Sequence, residues 1–261
     1  MAVTAFSPRT AIVTAGDSGI GKATCVHLAR GGLDIGLTYN RDEEGARDTA
    51  EEVRSLGRRA EIRHMDLTRL PEAAGVVDEL AEALGSVDVF VNNAGTGSSS
   101  PFLELSWDDW RGDVAVDLDG AFLCLQRAAR RMVESGTRGR IVNVTSVHEH
   151  IPKSQAAPYC AAKGGLGLLV KVAALELAEH GITVNAVAPG EISTPMTGQP
   201  DTDPRTEDRP AIPAGRPGSA HEIAAAVAFI ASPAASYLTG HSMVVDGGLT
   251  LMSAEANQLV D

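Results

Sequence analysis

The stretch VTAGDSGIGKA, Val13 to Ala23, runs from β-branched apolar residues through Gly16, Gly19 and Gly21 into a helix-like sequence. Glycine inside a helix costs about 1 kcal/mol relative to alanine, so this cluster needs a compensating use. Where a strand's C-terminal edge meets a helix N-terminus, free N–H groups and the helix dipole can hold a pyrophosphate. Glycines at that point let the backbone approach it closely. The spacing is G-x-x-G-x-G rather than the regular G-x-G-x-x-G. Taken alone, the motif is weak and leaves a plain tight turn as the minor alternative.

The rest of the chain narrows the choice. β-like runs recur at 10–15, 34–39, 60–65, 87–92, 139–146, 182–188 and 242–246, with helical patterns between most of them. EEGARDTAEEVRSLG closes on Gly57, and PEAAGVVDELAEALG opens with proline and closes with glycine, as helices do. The longest helix candidates are Trp110 to Ser135 and Tyr159 to His180. Strands alternating with helices argue for right-handed βαβ units in a parallel, doubly wound sheet. Hydrophobic residues make up 44% and aromatics only 4%, the balance expected of helices on a Val/Ile/Leu-rich buried sheet. With 261 residues and no repeat or linker, one domain over 1–261 is expected. Residues 191–218 carry six prolines and a mixed-charge run, which reads as a lid folded over the sheet edge.

Several function classes fall away. The net charge is −12 with no basic stripe, which speaks against nucleic acid and anionic membranes as partners. Cys25, Cys124 and Cys160 lie far apart, with neither a disulfide framework nor metal-ligand spacing. The first ten residues lack the apolar core of a signal peptide, and Lys171 and Glu176 interrupt the longest apolar stretch. The expected compartment is the cytoplasm.

Three later motifs fall where ligands bind in open α/β sheets. NNAG, Asn92 to Gly95, follows the fourth β-like run; NVTS ends the fifth with Ser146; YCAAK sets Tyr159 and Lys163 four residues apart, on one helix face. With these in register, the chain resembles the classical short-chain dehydrogenase/reductase family over nearly its whole length. TAGDSGIG, HMDLT, NNAG, Ser146, the Tyr159–Lys163 pair, PGEISTPM and VDGG occur in order. The resemblance implies a single-domain Rossmann-type fold, a doubly wound parallel sheet of about seven strands with helices on both faces. It also implies hydride transfer between NADP(H) or NAD(H) and a carbonyl or secondary alcohol, in a homotetramer. Tyr159 would be the proton donor in reduction. An unperturbed tyrosine has a pKa near ~10, and an ammonium one helical turn away lowers it toward the working range. Lys163 would supply that ammonium and bond the nicotinamide ribose, and Ser146 would polarise the substrate oxygen. The implied cofactor contacts are Gly16, Asp17, Ser18 and Ile20 in the turn, with Asn40 and Arg41 after the second strand. Asp66 and Leu67 would meet the adenine, and Asn93, Ala94 and Gly95 its ribose. Tyr159, Lys163, Pro189, Gly190, Ile192 and Thr194 complete the set.

Two positions depart from the family pattern. Ala15 stands where the pattern has glycine; because alanine resists positive φ, the turn is expected to run through negative φ there or to shift to Gly16. Asp117, in VDLDGAF, stands where the family has an asparagine that holds a water next to the lysine. An ionised aspartate accepts hydrogen bonds and donates none. Arg41 suits a 2′-phosphate and favours NADP, although Asp17 opposes it. His148, Glu149 and His150 lack a third, spaced ligand; no metal is expected, and they read as a polar pocket rim. Trp107 and Trp110 are expected to pack the entrance of the long helix. SVHE and YNR resemble the glucose 1-dehydrogenase-like branch and point to a sugar or polyol, while similar chains reduce 3-oxoacyl thioesters. The rival functions are a cofactor-binding sensor or assembly subunit, motivated by Asp117 and Ala15, and lyase or dehydratase chemistry on the same core.

Overall fold

The computed structural model describes residues 6–198 and 203–252. Residues 199–202 of the expected lid, and both ends of the expected 1–261 domain, lie outside that range. The chain alternates strands and helices: β1 (Thr10–Val13), α1 (Gly19–Arg30), β2 (Asp34–Tyr39), α2 (Glu43–Ser55), β3 (Ala60–His64), α3 (Val76–Leu84) and β4 (Val89–Asn92). There follow α4 (Trp107–Val114), α5 (Ala121–Glu134), β5 (Arg140–Val144), α6 (Ala157–Leu177) and β6 (Thr183–Pro189). The chain closes with β7 (Ile192–Ser193), β8 (Gly218–Ser219), α7 (Ala220–Ile230) and β9 (Ser242–Val245).

Seven strands form one parallel sheet in the order β3-β2-β1-β4-β5-β6-β9. Successive side chains on a strand point to opposite faces, so each strand feeds two cores. Ala11, Val13, Leu37 and Val91 pack on one side with α1, α2 and α7 residues such as Leu28, Val53 and Ile223. Ile12, Phe90, Ile141 and Val184 pack on the other with Leu80, Met132 and Val170 of α3, α5 and α6. Each such side chain contributes roughly 1.5–3 kcal/mol on full burial. The strand order reverses between β1 and β4, and the crevice at their carboxyl ends is where an open α/β sheet takes its ligand.

The expected helix over Trp110 to Ser135 differs in two ways. It starts earlier, where Ser106 caps α4 by accepting a bond from the Asp109 N–H at 3.0 Å. It is also interrupted by a π-helical segment at Ala115–Gly120. Trp107 does not pack the entrance: it is 69% exposed, with the Arg111 guanidinium 5.8 Å from its ring centroid. The proline-rich segment folds back on the domain. β7 pairs with β8, Arg209 bonds Glu191 at 2.6 Å, and the Ala214 N–H donates to the Gly247 carbonyl at 3.0 Å. Among the described residues, no helix is long and apolar enough to cross a membrane.

Candidate active site

A cleft of about 510 Å³ opens at the switch point. One wall is the glycine turn. Gly19 takes φ +51°, and Ser18 makes no capping bond to α1. No acidic side chain lies in the first turn of α1, so its free N–H groups are left for an anion. A Cβ on Gly21 would collide with the Ala15 carbonyl oxygen and come within 2.7 Å of Asn93 Nδ2.

The expectation for Ala15 is overturned. Ala15 itself adopts φ +50°, and Gly16 has no positive φ. Left-handed backbone costs an L-residue roughly 1–2 kcal/mol, and tertiary hydrogen bonds hold Ala15 there. Its N–H donates to Thr38 Oγ1 at 3.0 Å, and its carbonyl accepts from Asn93 Nδ2 at 3.1 Å. Gly16 serves close packing instead, since a Cβ there would meet Leu37 Cβ at 2.8 Å.

The opposite wall carries Ser146, Tyr159 and Lys163. Ser146 caps a short 3-10 turn, accepting at Oγ from the His148 N–H at 3.2 Å. That bond leaves its own proton available to an oxygen in the cleft. Tyr159 and Lys163 sit one turn apart on α6, with the Lys163 ammonium 5.5 Å from the Tyr159 ring centroid. Lys163 is buried, and its Nζ lies 3.3 Å from Asp117 Oδ1. The π-helical segment aims Asp117 inward, where it is 0% exposed. Oδ1 also accepts from the Thr96 N–H at 3.1 Å, and Oδ2 has no partner among the described residues. Burial pushes the Asp117 carboxyl above the usual range, against the pull of Lys163. Burial alone would lower Lys163, but the neighbouring negative charges, Asp117 foremost, hold its proton more tightly than usual.

A family model described as enoyl-(acyl carrier protein) reductase matches residues 14–250. The uncharacterized oxidoreductase YohF of Escherichia coli is 53% identical over 249 residues, 95% of this chain and 98% of that one. This chain belongs to the short-chain dehydrogenase/reductase family. The crystal structure of acetoin dehydrogenase from Enterobacter cloacae aligns at TM-score 0.88 with 54% identity, covering 94% of this chain and 96% of that one. The crystal structure of a variant actinorhodin polyketide ketoreductase with NADPH aligns at TM-score 0.84 with 36% identity, covering 93% and 97%. This short-chain dehydrogenase is therefore an NAD(P)-dependent oxidoreductase.

Of the cofactor contacts expected from sequence, Asp17, Ser18, Ile20, Asn40, Arg41, Asn93 and Gly95 line the cleft of this short-chain dehydrogenase, as do Pro189, Gly190, Ile192 and Thr194. Gly16, Asp66, Leu67 and Ala94 are not among its lining residues. Gly16 packs on Leu37, and Leu67 is buried against Gly120. Ala94 packs on the α3/α5/α6 core. Asp66 Oδ1 accepts from the N–H and hydroxyl of Thr68, at 3.0 and 2.7 Å, and Thr68 lines the cleft. The sequence did not single out Asp42, Thr68, Thr96, Val116, Val144 or Thr145 as lining residues; the D-x-T spacing of Asp66 and Thr68, which suits an Asx turn, was a signal for Thr68. Of the expected rim residues, His148 sets its ring edge-on to that of Tyr159, with centroids 6.2 Å apart, while the Glu149 side chain is buried; among the described residues no cluster could hold a metal ion.

Replacing Asp117 by asparagine removes the negative charge beside Lys163 while keeping the side chain's shape. The sign follows from charge: a carboxylate there favours retention of protons on the neighbouring acid–base groups, so its loss moves the pH profile of kcat to lower pH, by about 0.5–1 unit. A profile left in place by Asp117→Asn contradicts the coupling.

Proposed function

We propose that this enzyme transfers hydride between a nicotinamide cofactor, NADP(H) by preference over NAD(H), and a carbonyl or secondary alcohol, with Tyr159 as acid/base. The observation that carries this reading is one cleft lined both by the uncapped N-terminus of α1 and by Ser146, Tyr159 and Lys163. The residues fit the cofactor. The α1 turn suits the pyrophosphate, and the missing side chain of Gly21 lets α1 pack directly against the Ala15 carbonyl and Asn93, which holds that turn in place. When bound, the nicotinamide supplies or accepts a hydride at the carbinol carbon.

Ser146 donates a hydrogen bond from its hydroxyl to the substrate oxygen and orients the carbonyl, keeping its own proton. Tyr159 delivers its phenolic proton to that oxygen as negative charge develops. The Lys163 ammonium, kept charged by Asp117, stabilises the phenolate left behind. The related acetoin dehydrogenase structure supports a small hydroxyketone or vicinal diol, in keeping with the polyol reading of SVHE. Residues 191–198, with Ile192, Thr194 and Met196 at the cleft, act in this reading as the inner edge of a substrate lid.

Arg41 lines the cleft, and a guanidinium there would suit a ribose 2′-phosphate. Asp17 is a weaker opponent than its type suggests, because burial, followed by repulsion from Asp42, raises its pKa. A charge-assisted hydrogen bond contributes about 1.5–3 kcal/mol. Arg41→Asp is therefore expected to lower kcat/KM for NADPH about 10–100-fold and to leave that for NADH within about threefold. An unchanged ratio between the two cofactors removes Arg41 from the site.

Exposed apolar side chains on α6 support the tetramer, with Leu175 81% exposed and Leu168 and Val172 beside it. The Asp117–Lys163 pair favours a second reading, a cofactor-binding sensor with little turnover. Assaying oxidation of NADPH and NADH against hydroxyketones, diketones, keto-sugars and 3-oxoacyl thioesters separates the two. Turnover supports the reductase; binding of both cofactors without turnover on any carbonyl supports the sensor.

A further inference from the structure

Glu149 carries a buried side-chain carboxyl that the chemistry above leaves unused. Its side chain is 3% exposed, and Oε1 lies 2.8 Å from Nε2 of the half-exposed His150. Oε2 has no hydrogen-bond partner among the described residues. A carboxylate so buried is costly unless the fold has a use for its position.

Two contacts define that position. The first is a slot on α6: a Cβ on Gly167 would stand 2.9 Å from Oε2 and 3.1 Å from Cδ of Glu149. Gly167 follows Lys163 by four residues, and Lys163 follows Tyr159 by four. The slot therefore lies one turn beyond Lys163 on the same side of the helix. The second contact is with the Ser146 turn, where the Glu149 N–H donates to the Ser146 carbonyl at 3.0 Å. One side chain thus ties the turn that carries Ser146 to the helix that carries Tyr159 and Lys163. The charges facing Lys163 are Asp117 from the π-helical segment, Tyr159 on its own helix and Glu149 from the Ser146 turn; His150 faces Glu149.

We propose that Glu149 is a positioning residue of the active site, seated in the slot at Gly167 and held by His150, which sets Ser146 against Tyr159 and keeps a fixed negative charge behind the Lys163 ammonium. The slot is tested by thermal unfolding of the full chain. Alanine is the better helix former, so in the Glu149→Ala background Gly167→Ala raises the midpoint. With Glu149 present, the same change lowers it. The same sign in both backgrounds overturns the proposal.

The positioning role rests on the hydride-transfer reading and is tested by the pH dependence of kcat. Glu149→Gln keeps the shape and loses the charge. It moves the profile toward lower pH by about 0.2–0.5 unit and leaves the cofactor KM within about twofold. Gly167→Ala lowers kcat about tenfold at unchanged cofactor KM, because the Ser146 turn is displaced. A profile unmoved by Glu149→Gln overturns the proposal. Absence of turnover in the unaltered protein defeats the hydride-transfer reading instead, and the unfolding sign then decides the slot by itself.

Discussion

Tyr159→Phe removes turnover of every carbonyl substrate, by about 10²–10⁴-fold in kcat, the range that a positioned proton donor contributes. The change deletes one hydroxyl from a side chain that lines the cleft on α6. Nothing else at the site supplies its proton equally well. Ser146 is an unactivated hydroxyl, and Lys163 is buried and already engaged by Asp117 at 3.3 Å. Cofactor binding is expected to survive within about twofold, since the phenol adds little to a pocket built on the α1 turn and Arg41. Steady-state kinetics with both reduced cofactors, alongside cofactor titration, checks this. Residual kcat above about one-tenth of the unaltered enzyme removes Tyr159 from the proton-transfer step.

Gly21→Ala has the second large effect, and it acts on binding. The added Cβ would overlap the Ala15 carbonyl oxygen and lie 2.7 Å from Asn93 Nδ2. Both are fixed points: Asn93 Nδ2 donates to the Thr14 and Ala15 carbonyls at 3.1 Å each, and the Asn93 N–H donates to Thr14 Oγ1 at 2.8 Å. Backbone on either side must move, and Ala15 already holds a left-handed conformation. Overpacking of this kind costs about 1–3 kcal/mol. The fold is expected to lose that much stability, and cofactor affinity to weaken about tenfold or more. Denaturant unfolding with and without cofactor separates the two. An unchanged cofactor Kd contradicts the assignment of this turn.

These two residues belong to the part of the molecule that could be read from sequence. Apolar runs broken by glycine and proline marked the strands of the main sheet, because buried parallel strands need continuous apolar side chains. The glycine turn and the Tyr159–Lys163 spacing were local patterns, visible without tertiary information. What stayed hidden depends on contacts between distant segments. Ala15 takes positive φ because Thr38 and Asn93 hold it there. The π-helical segment at Ala115–Gly120 inserts its extra width into a helix whose apolar pattern is almost unaltered, so the sequence marked Asp117 as a site position but not the backbone that turns it inward. Thr68 reaches the cleft from the loop after β3, its N–H and hydroxyl both bonded to Asp66 Oδ1, a local turn that the apolar pattern does not report. Glu149 sits in SVHEHIP like a surface residue; only the missing side chain of Gly167 makes room to bury it.

The central claim is that a hydride passes between cofactor and substrate in the cleft between α1 and α6. The most direct measurement is reduction of a small hydroxyketone or diketone with NADPH deuterated at the transferring carbon of the nicotinamide. The expected product carries one deuterium at the new carbinol carbon, with one cofactor oxidised per product formed. Product without deuterium, or formed with no cofactor consumed, contradicts the account and places the chemistry with a lyase or dehydratase on the same fold.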